Sequence, residues 1–356
     1  MSSSSEIGSG SSVSSSPRSP VGGPSGVGAR ISGTGVALPE HRLTNRELES
    51  LMETSDEWIV QRTGIRERRR MSSAGDERAT ELAARAVESA LTRAGRSPSD
   101  LDFMLVGTVS AEMVCPSTAC RVIDRIGANG AAAMDVSAAC CGFVYSLNLA
   151  YAQVRLGLAK CVAVAGVDTL TETMEYTTRG RGTAILFGDG AGAAIVEATG
   201  EPDRGLIAQK MHADGSMWRH LYIPRDPRDY PEGQSEAELP LGLMRMNGRE
   251  VFRFAVKTFS DLIEETLSEA GVGVEEVSHF VCHQSNLRIL QAARERFGLP
   301  EEKLYVNIDR YGNTSAASVP ICLHELHASG RIKDGQLVMF VAFGGGMTWA
   351  SSLWRV

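Results

Sequence analysis

Two adjacent cysteines, Cys140 and Cys141, lie in the stretch DVSAACCGF, among small residues and just before a Gly-Phe pair. A thiol at a strand-to-helix turn meets the unpaired amides and the positive dipole end of the following helix, and both favour the thiolate. The surrounding Ala and Gly keep the turn tight and let a substrate approach closely. Free cysteine is also a common small core filler, so position alone does not separate nucleophile from packing, nor one cysteine from the other. A nucleophilic thiol needs a partner, and VSHFVCHQSN offers one. Strand alternation puts His279 and His283 on one face and Cys282 on the other, with His283 at the accessible strand end. Asn313, in DRYGNTSAASVP, follows a glycine where Asn ordinarily caps a turn. FGGGM, Phe343 to Met347, either presents bare amides to a developing oxyanion or simply bends the chain between strands. These histidine and cysteine spacings lack a full ligand set, so no metal site is expected. GDGAGA, Gly188 to Ala193, is followed by AAIVEA, which reads as strand rather than helix; with no Walker lysine, phosphate binding there is set aside.

The elements that must position these residues alternate short β-rich runs with amphipathic helices, an α/β pattern. ATELAARAVESALTRAG (Ala79 to Gly95) reads as a helix with a glycine stop, and LDFMLVGT (Leu101 to Thr108) as a buried strand. VFRFAVKTFSDLIEETLSEAG (Val251 to Gly271) and VSHFVCHQ (Val277 to Gln284) repeat that pair. Each strand starts six residues after its glycine, which indicates an internal duplication with a period near half the chain. AAAMDVSAACCGFVYSLNLAYAQVRLG and LYVNIDRYGNTSAASVPICLHELHASG share the order strand, small-residue turn, helix. Asn313 thereby falls at the second half's equivalent of the cysteine turn. The expected division is residues 30–200 for the half with the cysteine and 201–356 for the half with His and Asn, packed about a pseudo-twofold with the site between them.

Composition limits the rest. The chain has 356 residues, 43% of them hydrophobic, and no apolar run long enough to span a membrane. A formal net charge of −7 argues against a general nucleic-acid binder. The 7 cysteines form no CxxC pairs, and no signal peptide precedes the folded part, so a cytoplasmic setting is expected. Residues 1–29 are Ser, Gly and Pro with hardly an apolar side chain, and read as a flexible tail.

The motifs SDEWIVQRTGIRER, DVSAACCGF, RGTAILFGDGAGA, HADGS, MNGREVFRFAV, HQSNLRIL, DRYGNTSAASVP and FGGGMTWASSL occur in this order. In them the chain from about Arg30 to Val356 resembles the β-ketoacyl-acyl-carrier-protein synthase III enzymes of the thiolase fold. The resemblance implies a five-layered αβαβα architecture built from two similar halves. It implies that Cys140 is the nucleophile, Cys141 a small core-facing residue, and His283 and Asn313 the other members of a Cys-His-Asn triad. The amides of Cys140 and Gly345 would form the oxyanion hole. The activity implied is a decarboxylative Claisen condensation of an acyl-CoA primer with malonyl-acyl-carrier protein, initiating fatty-acid synthesis, with acyl-CoA a substrate and no cofactor required.

By the same resemblance Trp58 and Arg181 sandwich the adenine of coenzyme A, Arg62 reaches its phosphates, and Gly248 and Asn286 line the pantetheine tunnel. Arg253, Arg288 and Arg296 match basic positions that meet the carrier protein, although a neighbouring position that is often basic is Glu295 here. Cys115 falls where some relatives place a phenylalanine, supplied by the partner of a homodimer, that closes the acyl pocket. A smaller side chain there implies primers bulkier than acetyl. Two alternatives stay open: a related condensing or acyl-transferring enzyme of polyketide or other secondary metabolism, and a papain-like Cys-His-Asn hydrolase.

Overall fold

The computed structural model describes residues 26–72, 78–235 and 240–356, so most of the expected tail lies outside the described residues. Gly28 and Ala29 are not tail. They open the first strand, paired with Thr199 and Ala198.

The first half runs through strand β1 (Gly28–Ala37), helix α1 (Asp56–Thr63) and helix α2 (Ala79–Ala94). It continues with β2 (Phe103–Gly107), α3 (Thr118–Ile126), β3 (Ala132–Val136) and α4 (Gly142–Arg155), and ends with β4 (Cys161–Asp168) and β5 (Gly190–Thr199). The second half comprises β6 (Gly205–Ala213), α5 (Gly248–Ala270), β7 (Val277–Cys282) and α6 (Leu287–Phe297), then α7 (Ser318–Ala328), β8 (Leu337–Gly344) and β9 (Thr348–Arg355).

The strand order of the first sheet is β1-β5-β4-β2-β3, and that of the second is β6-β9-β8-β7. Pairing is antiparallel across the first two contacts of each sheet and parallel thereafter. The two sheets therefore share one topology. The second half lacks a full counterpart of β3: where the sequence suggested a strand at LYVNIDRY, there is a single parallel bridge between Phe280 and Leu304 and a short helix, Ile308–Tyr311.

The same local chemistry builds each half. Both α2 and α5 stop at a left-handed glycine, Gly95 (φ 66°) and Gly271 (φ 65°), a conformation glycine adopts without a Cβ penalty. A short 3-10 turn follows each, Pro98–Asp100 and Val274–Glu276, and delivers the chain to β2 and β7. α5 begins at Gly248, three residues before the start the sequence suggested, because the Asn247 side chain caps it through the Glu250 amide.

Apolar faces then stack the elements into five layers. α2 and α3 cover the outer face of the first sheet, burying Leu82, Val87, Leu91 and Val122. α4 and α7 lie between the sheets, burying Leu147, Val154, Val319 and Leu323. α5 and α6 cover the second sheet, with Phe259, Ile263 and Leu290. The central strands β4 and β8 are buried at every residue, as strands covered on both faces must be. This is the five-layered αβαβα arrangement of the thiolase-like fold. Gly166 in β4 shows how closely the middle layer sits, because a Cβ there would collide with the Ala316 carbonyl oxygen. GDGAGA leads into β5, and its Asp189 carboxylate is buried, accepting hydrogen bonds from the Met71 and Thr171 amides and the Thr171 hydroxyl.

Candidate active site

Cys140 lies in a one-turn 3-10 segment, Ala139–Cys141, that opens directly into α4. Ala139 before it takes a left-handed φ of 47°, which costs a residue with a Cβ about 1 kcal/mol or more. The surroundings hold it there. Gly344, at the end of β8, sits so close that a Cβ on it would lie 2.6 Å from the Cys140 nitrogen. The Thr348 hydroxyl lies 3.0 Å from the Ala138 carbonyl oxygen and 3.3 Å from that of Gly345, clamping the FGGGM run to the cysteine turn. Cys141 faces the core and is fully buried in the layer between the sheets. Cys140 instead borders two cavities, one of about 710 Å³ that Gly345 also lines, and one of about 70 Å³.

The thiolate expected from the helix end does not hold for the free protein. Burial pushes the Cys140 thiol up to about 12, outweighing the amides of the turn, so the resting group is a neutral thiol. The Ser315 hydroxyl donates to its Sγ at 3.3 Å.

His283 and Asn313 line the small cavity together with Cys140, Gly248 and Asn286. β7 ends at Cys282, earlier than the sequence suggested, and the His283 amide makes the last bond of the ladder, donating to the Val341 carbonyl of β8 at 2.8 Å. The Phe343 ring stands edge-on to the imidazole, with centroids 5.4 Å apart. Burial lowers the imidazole to about 3, so it is neutral through the physiological range. Its Nδ1 lies 2.6 Å from the Ser318 hydroxyl. His279, placed on the same strand face by alternation, does not reach the cavity; its Nε2 lies 3.1 Å from the Arg331 carbonyl oxygen. Asn313 is fixed at both ends, its amide donating to the Leu186 carbonyl and its Oδ1 accepting from the Ser315 amide at 2.9 Å. Among the described residues its Nδ2 has no partner, which leaves two N–H bonds for a ligand.

Of the other expected binding residues, Gly248 and Asn286 line the small cavity, and Trp58, Arg62, Arg181, Arg253, Arg288 and Arg296 line neither cavity that Cys140 borders. The Trp58 ring in α1 carries the Arg62 guanidinium at 4.7 Å and that of Arg181 at 5.0 Å. Arg181 is held there by donating to the Glu53 carbonyl at 2.6 Å. Stacking a flat base between Trp58 and Arg181 requires about 7 Å, two contacts of about 3.5 Å, so Arg181 must withdraw by about 2 Å. Asn286 caps α6 through the Arg288 amide and donates to the Arg62 carbonyl at 3.0 Å, tying α6 to α1. Arg253, Arg288 and Arg296 are all exposed. Arg253 pairs with Glu250, Arg296 with Glu264 at 2.8 Å and Asp261 at 3.8 Å, and Arg288 stacks over Phe252 at 5.5 Å. Cys115 is exposed and lines neither cavity that Cys140 borders. Among the described residues no three His, Cys, Asp or Glu side chains converge on a site for a metal ion, and no helix is long and apolar enough to cross a membrane.

Residues 134–215 match the family model for 3-oxoacyl-[acyl-carrier-protein] synthase III, and residues 267–356 match the model for its C-terminal part. The chain is 44% identical over 327 residues to the β-ketoacyl-[acyl-carrier-protein] synthase III of Xanthomonas campestris pv. campestris, covering 92% of this chain and 98% of that protein. The chain belongs to the synthase III family. Its structure is similar to the crystal structure of 3-oxoacyl-[acyl-carrier-protein] synthase III from Aquifex aeolicus VF5, with a TM-score of 0.84, 43% identity, and coverage of 92% of this chain and 100% of that one. It is also similar to the priming β-ketosynthase from the R1128 polyketide biosynthetic pathway, with a TM-score of 0.85, 30% identity, and coverage of 95% and 99%. This synthase III family member is an acyltransferase of the condensing class, and the hydrolase reading falls away.

The synthase III motifs did not single out three polar residues that the fold brings to the site: Asp168, Ser315 and Ser318. Asp168 ends β4 with no exposed surface. One of its oxygens accepts from the Val109 and Ser110 amides and the Thr108 and Ser110 hydroxyls at 2.9–3.1 Å, and the other from the Ala316 amide at 3.2 Å. Both serines lie in DRYGNTSAASVP, beside Asn313. α5 also exposes Arg249 and Lys257 beside Arg253, at i, i+4 and i+8, a spacing that helical periodicity could have revealed.

Proposed function

We propose that this protein condenses an acyl-CoA primer with malonyl-acyl-carrier protein through an acyl-Cys140 intermediate, and so initiates fatty-acid synthesis. The observation that carries this is the meeting of Cys140, neutral His283 and the free Nδ2 of Asn313 on one small cavity. Cys140 sulfur attacks the primer thioester, and the amides of Cys140 and Gly345 stabilise the tetrahedral oxyanion. The malonyl thioester then enters. His283 and Asn313 donate to its carbonyl oxygen, and loss of carbon dioxide leaves an enolate whose charge those donors hold while its carbon attacks the acyl-enzyme. Two neutral donors suit this step because no proton has to be abstracted. His283 donates from Nε2 when its Nδ1, 2.6 Å from the Ser318 hydroxyl, accepts that hydroxyl's hydrogen bond, which otherwise goes to the Ser315 carbonyl at 2.9 Å.

Trp58, Arg62 and Arg181 hold the nucleotide of coenzyme A, with Gly248 and Asn286 along the pantetheine arm. Arg253, Arg288 and Arg296, joined by Arg249 and Lys257, form the basic face for an acidic carrier protein. The working form is a cytoplasmic homodimer in which Cys115 contributes to the partner's acyl pocket. The 710 Å³ cavity beside Cys140 admits primers bulkier than acetyl. A second reading, priming of a polyketide, draws support from the likeness to the R1128 priming ketosynthase.

Intact-protein mass spectrometry with a panel of acyl-CoAs, followed by malonyl-carrier protein, tests this. An adduct on Cys140 that discharges to a β-ketoacyl-carrier product identifies the initiating synthase and its primer. An adduct that ignores malonyl-carrier protein sinks the fatty-acid reading and favours another acceptor.

A further inference from the structure

We propose that Ser315 is the positioning residue of the active site: its hydroxyl, donating to Cys140 Sγ, readies the thiol for loading, while its backbone holds the donors of the second half-reaction. This rests on the condensing reading and deepens it. Among the described residues no hydrogen bond joins the side chains of Cys140, His283 and Asn313 to one another, so another residue must set their mutual placement. Ser315 connects to all three. Its hydroxyl donates to Cys140 Sγ at 3.3 Å. Its amide donates to Asn313 Oδ1 at 2.9 Å. Its carbonyl lies 2.9 Å from the Ser318 hydroxyl, which in turn stands 2.6 Å from His283 Nδ1.

The placement is enforced. Ser315 takes a left-handed φ of 50°, which a residue with a Cβ keeps only when its surroundings hold it. The Ala316 amide, next in the chain, anchors the turn to the Asp168 carboxylate at 3.2 Å. Ser315 is buried and lines the wider cavity beside Cys140. A hydrogen bond to a charged group counts most where water is excluded, and here the hydroxyl works against the burial that pushes the thiol up. Asp168 lies close enough to attract that hydroxyl, but its oxygens are occupied by the Val109, Ser110 and Ala316 amides and the Thr108 and Ser110 hydroxyls. The titratable groups facing the sulfur are Asp168 from β4, His283 from the turn after β7 and Cys141 on its own turn, and none of them is bonded to Sγ among the described residues. Arg78, Glu112, Glu172, Tyr222 and Arg225 reach only the wider cavity.

The consequence is a split between the two half-reactions. In loading, the thiol proton passes to solvent and the sulfur pair forms the new C–S bond. The primer's own C–S bond breaks, and coenzyme A leaves with that pair as a thiolate that takes a proton from water. A donor on Cys140 Sγ stabilises the sulfur charge on which this step depends. Release of carbon dioxide places charge on the malonyl carbonyl oxygen instead. His283 and Asn313 face that oxygen from the small cavity, which Ser315 does not line. Removing the hydroxyl while keeping the amide and carbonyl should therefore slow loading and spare the release of carbon dioxide.

Ser315→Ala and Ser315→Gly make that cut in the full chain, glycine also relieving the left-handed φ. Each should load from saturating acyl-CoA about tenfold more slowly, with KM within a few-fold of wild type, as for losing one hydrogen bond to a charged group. Alkylation of Cys140 by iodoacetamide, read by peptide mass spectrometry against the exposed Cys120 in the same sample, should fall by the same factor at each pH from about 7 to about 10. Once loaded, the variants should release carbon dioxide from malonyl-carrier protein within a few-fold of loaded wild type. Alkylation that matches or exceeds wild type overturns the proposal. So does an equal loss in carbon dioxide release, which would make Ser315 a merely structural residue. If Ser315→Ala does not fold, Ser315→Gly decides alone. If no acyl-CoA loads the wild type yet alkylation falls about tenfold in the variants, the condensing reading fails and the bond from Ser315 to the sulfur stands.

Discussion

The cysteine turn of the first half and the Asn313 turn of the second are built on the same backbone and carry different side chains. Each passes through a left-handed non-glycine residue, Ala139 at φ 47° and Ser315 at φ 50°, then a 3-10 turn, then a helix of the middle layer. The residue after the kink is Cys140 in one and Ala316 in the other. The first copy places a thiol at the meeting of two cavities. The second places a hydroxyl against that thiol and a carboxamide on the small cavity. On the proposed reading, one backbone turn used twice carries two different tasks through the side chains it holds.

The largest test of that division is the nucleophile. Cys140→Ser should abolish the acyl adduct in intact mass spectrometry, a loss of 1000-fold or more at about the scale of losing a covalent step. Cys141→Ser, one residue along, should load within a few-fold of wild type and show its cost in melting temperature instead, because its side chain is buried in the core. Loading that persists in Cys140→Ser would break the assignment of chemistry to the first turn. Next comes the second turn. Asn313→Ala should load primer within a few-fold of wild type, yet lose about 100- to 1000-fold in release of carbon dioxide from malonyl-carrier protein, as for one oxyanion donor. Equal loss in both half-reactions would mean that the two turns do not divide the work.

How much of this was legible depends on range along the chain. The duplication showed because its signals are local: Gly95 and Gly271 stop their helices, and the strands follow at equal spacing. Cys140, His283 and Asn313 stood out as chemical types near turns. Asp168 and Ser318 did not. Asp168 matters through an amide 148 positions away, and Ser318 through an imidazole 35 positions away, contacts that only the stacked layers create. The expected thiolate failed for a related reason. A helix terminus is visible in the sequence, but the desolvation that outweighs it comes from both halves closing over the sulfur.

Protonation offers a smaller effect that also distinguishes the halves. His283 titrates near 3 when folded against an ordinary value of 6.5, so between these the unfolded chain binds the extra proton. Stability should therefore fall as pH drops from about 6.5 toward 3, by at most about 1.4 kcal/mol per pH unit from this group. Thermal melts at pH 7 and pH 5 should show a shallower decline in His283→Asn than in wild type. Asp168, from the first half, has the opposite sign: burial raises its folded value, so Asp168→Asn should steepen the decline in the range between the ordinary carboxylate value and the raised one. Parallel slopes in wild type and His283→Asn would mean that the imidazole is more hydrated than its burial implies.

The smallest expected effect tests whether backbone alone makes the site. Ala316 is the second half's counterpart of Cys140, and in a Cys140→Ser background Ala316→Cys restores a thiol after the kink. No acyl adduct should return. Ala316 is fully buried, its carbonyl presses on Gly166, and it lines neither cavity that Cys140 borders. The glycine run that presses on the Cys140 amide also has no equivalent contact there, because Gly344 abuts the first turn. Adduct formation in the double variant, read against Cys140→Ser alone, would show that the kinked turn suffices. Its absence, with melting temperature kept within a few degrees, would place the decisive difference in what the two sheets bring to each turn.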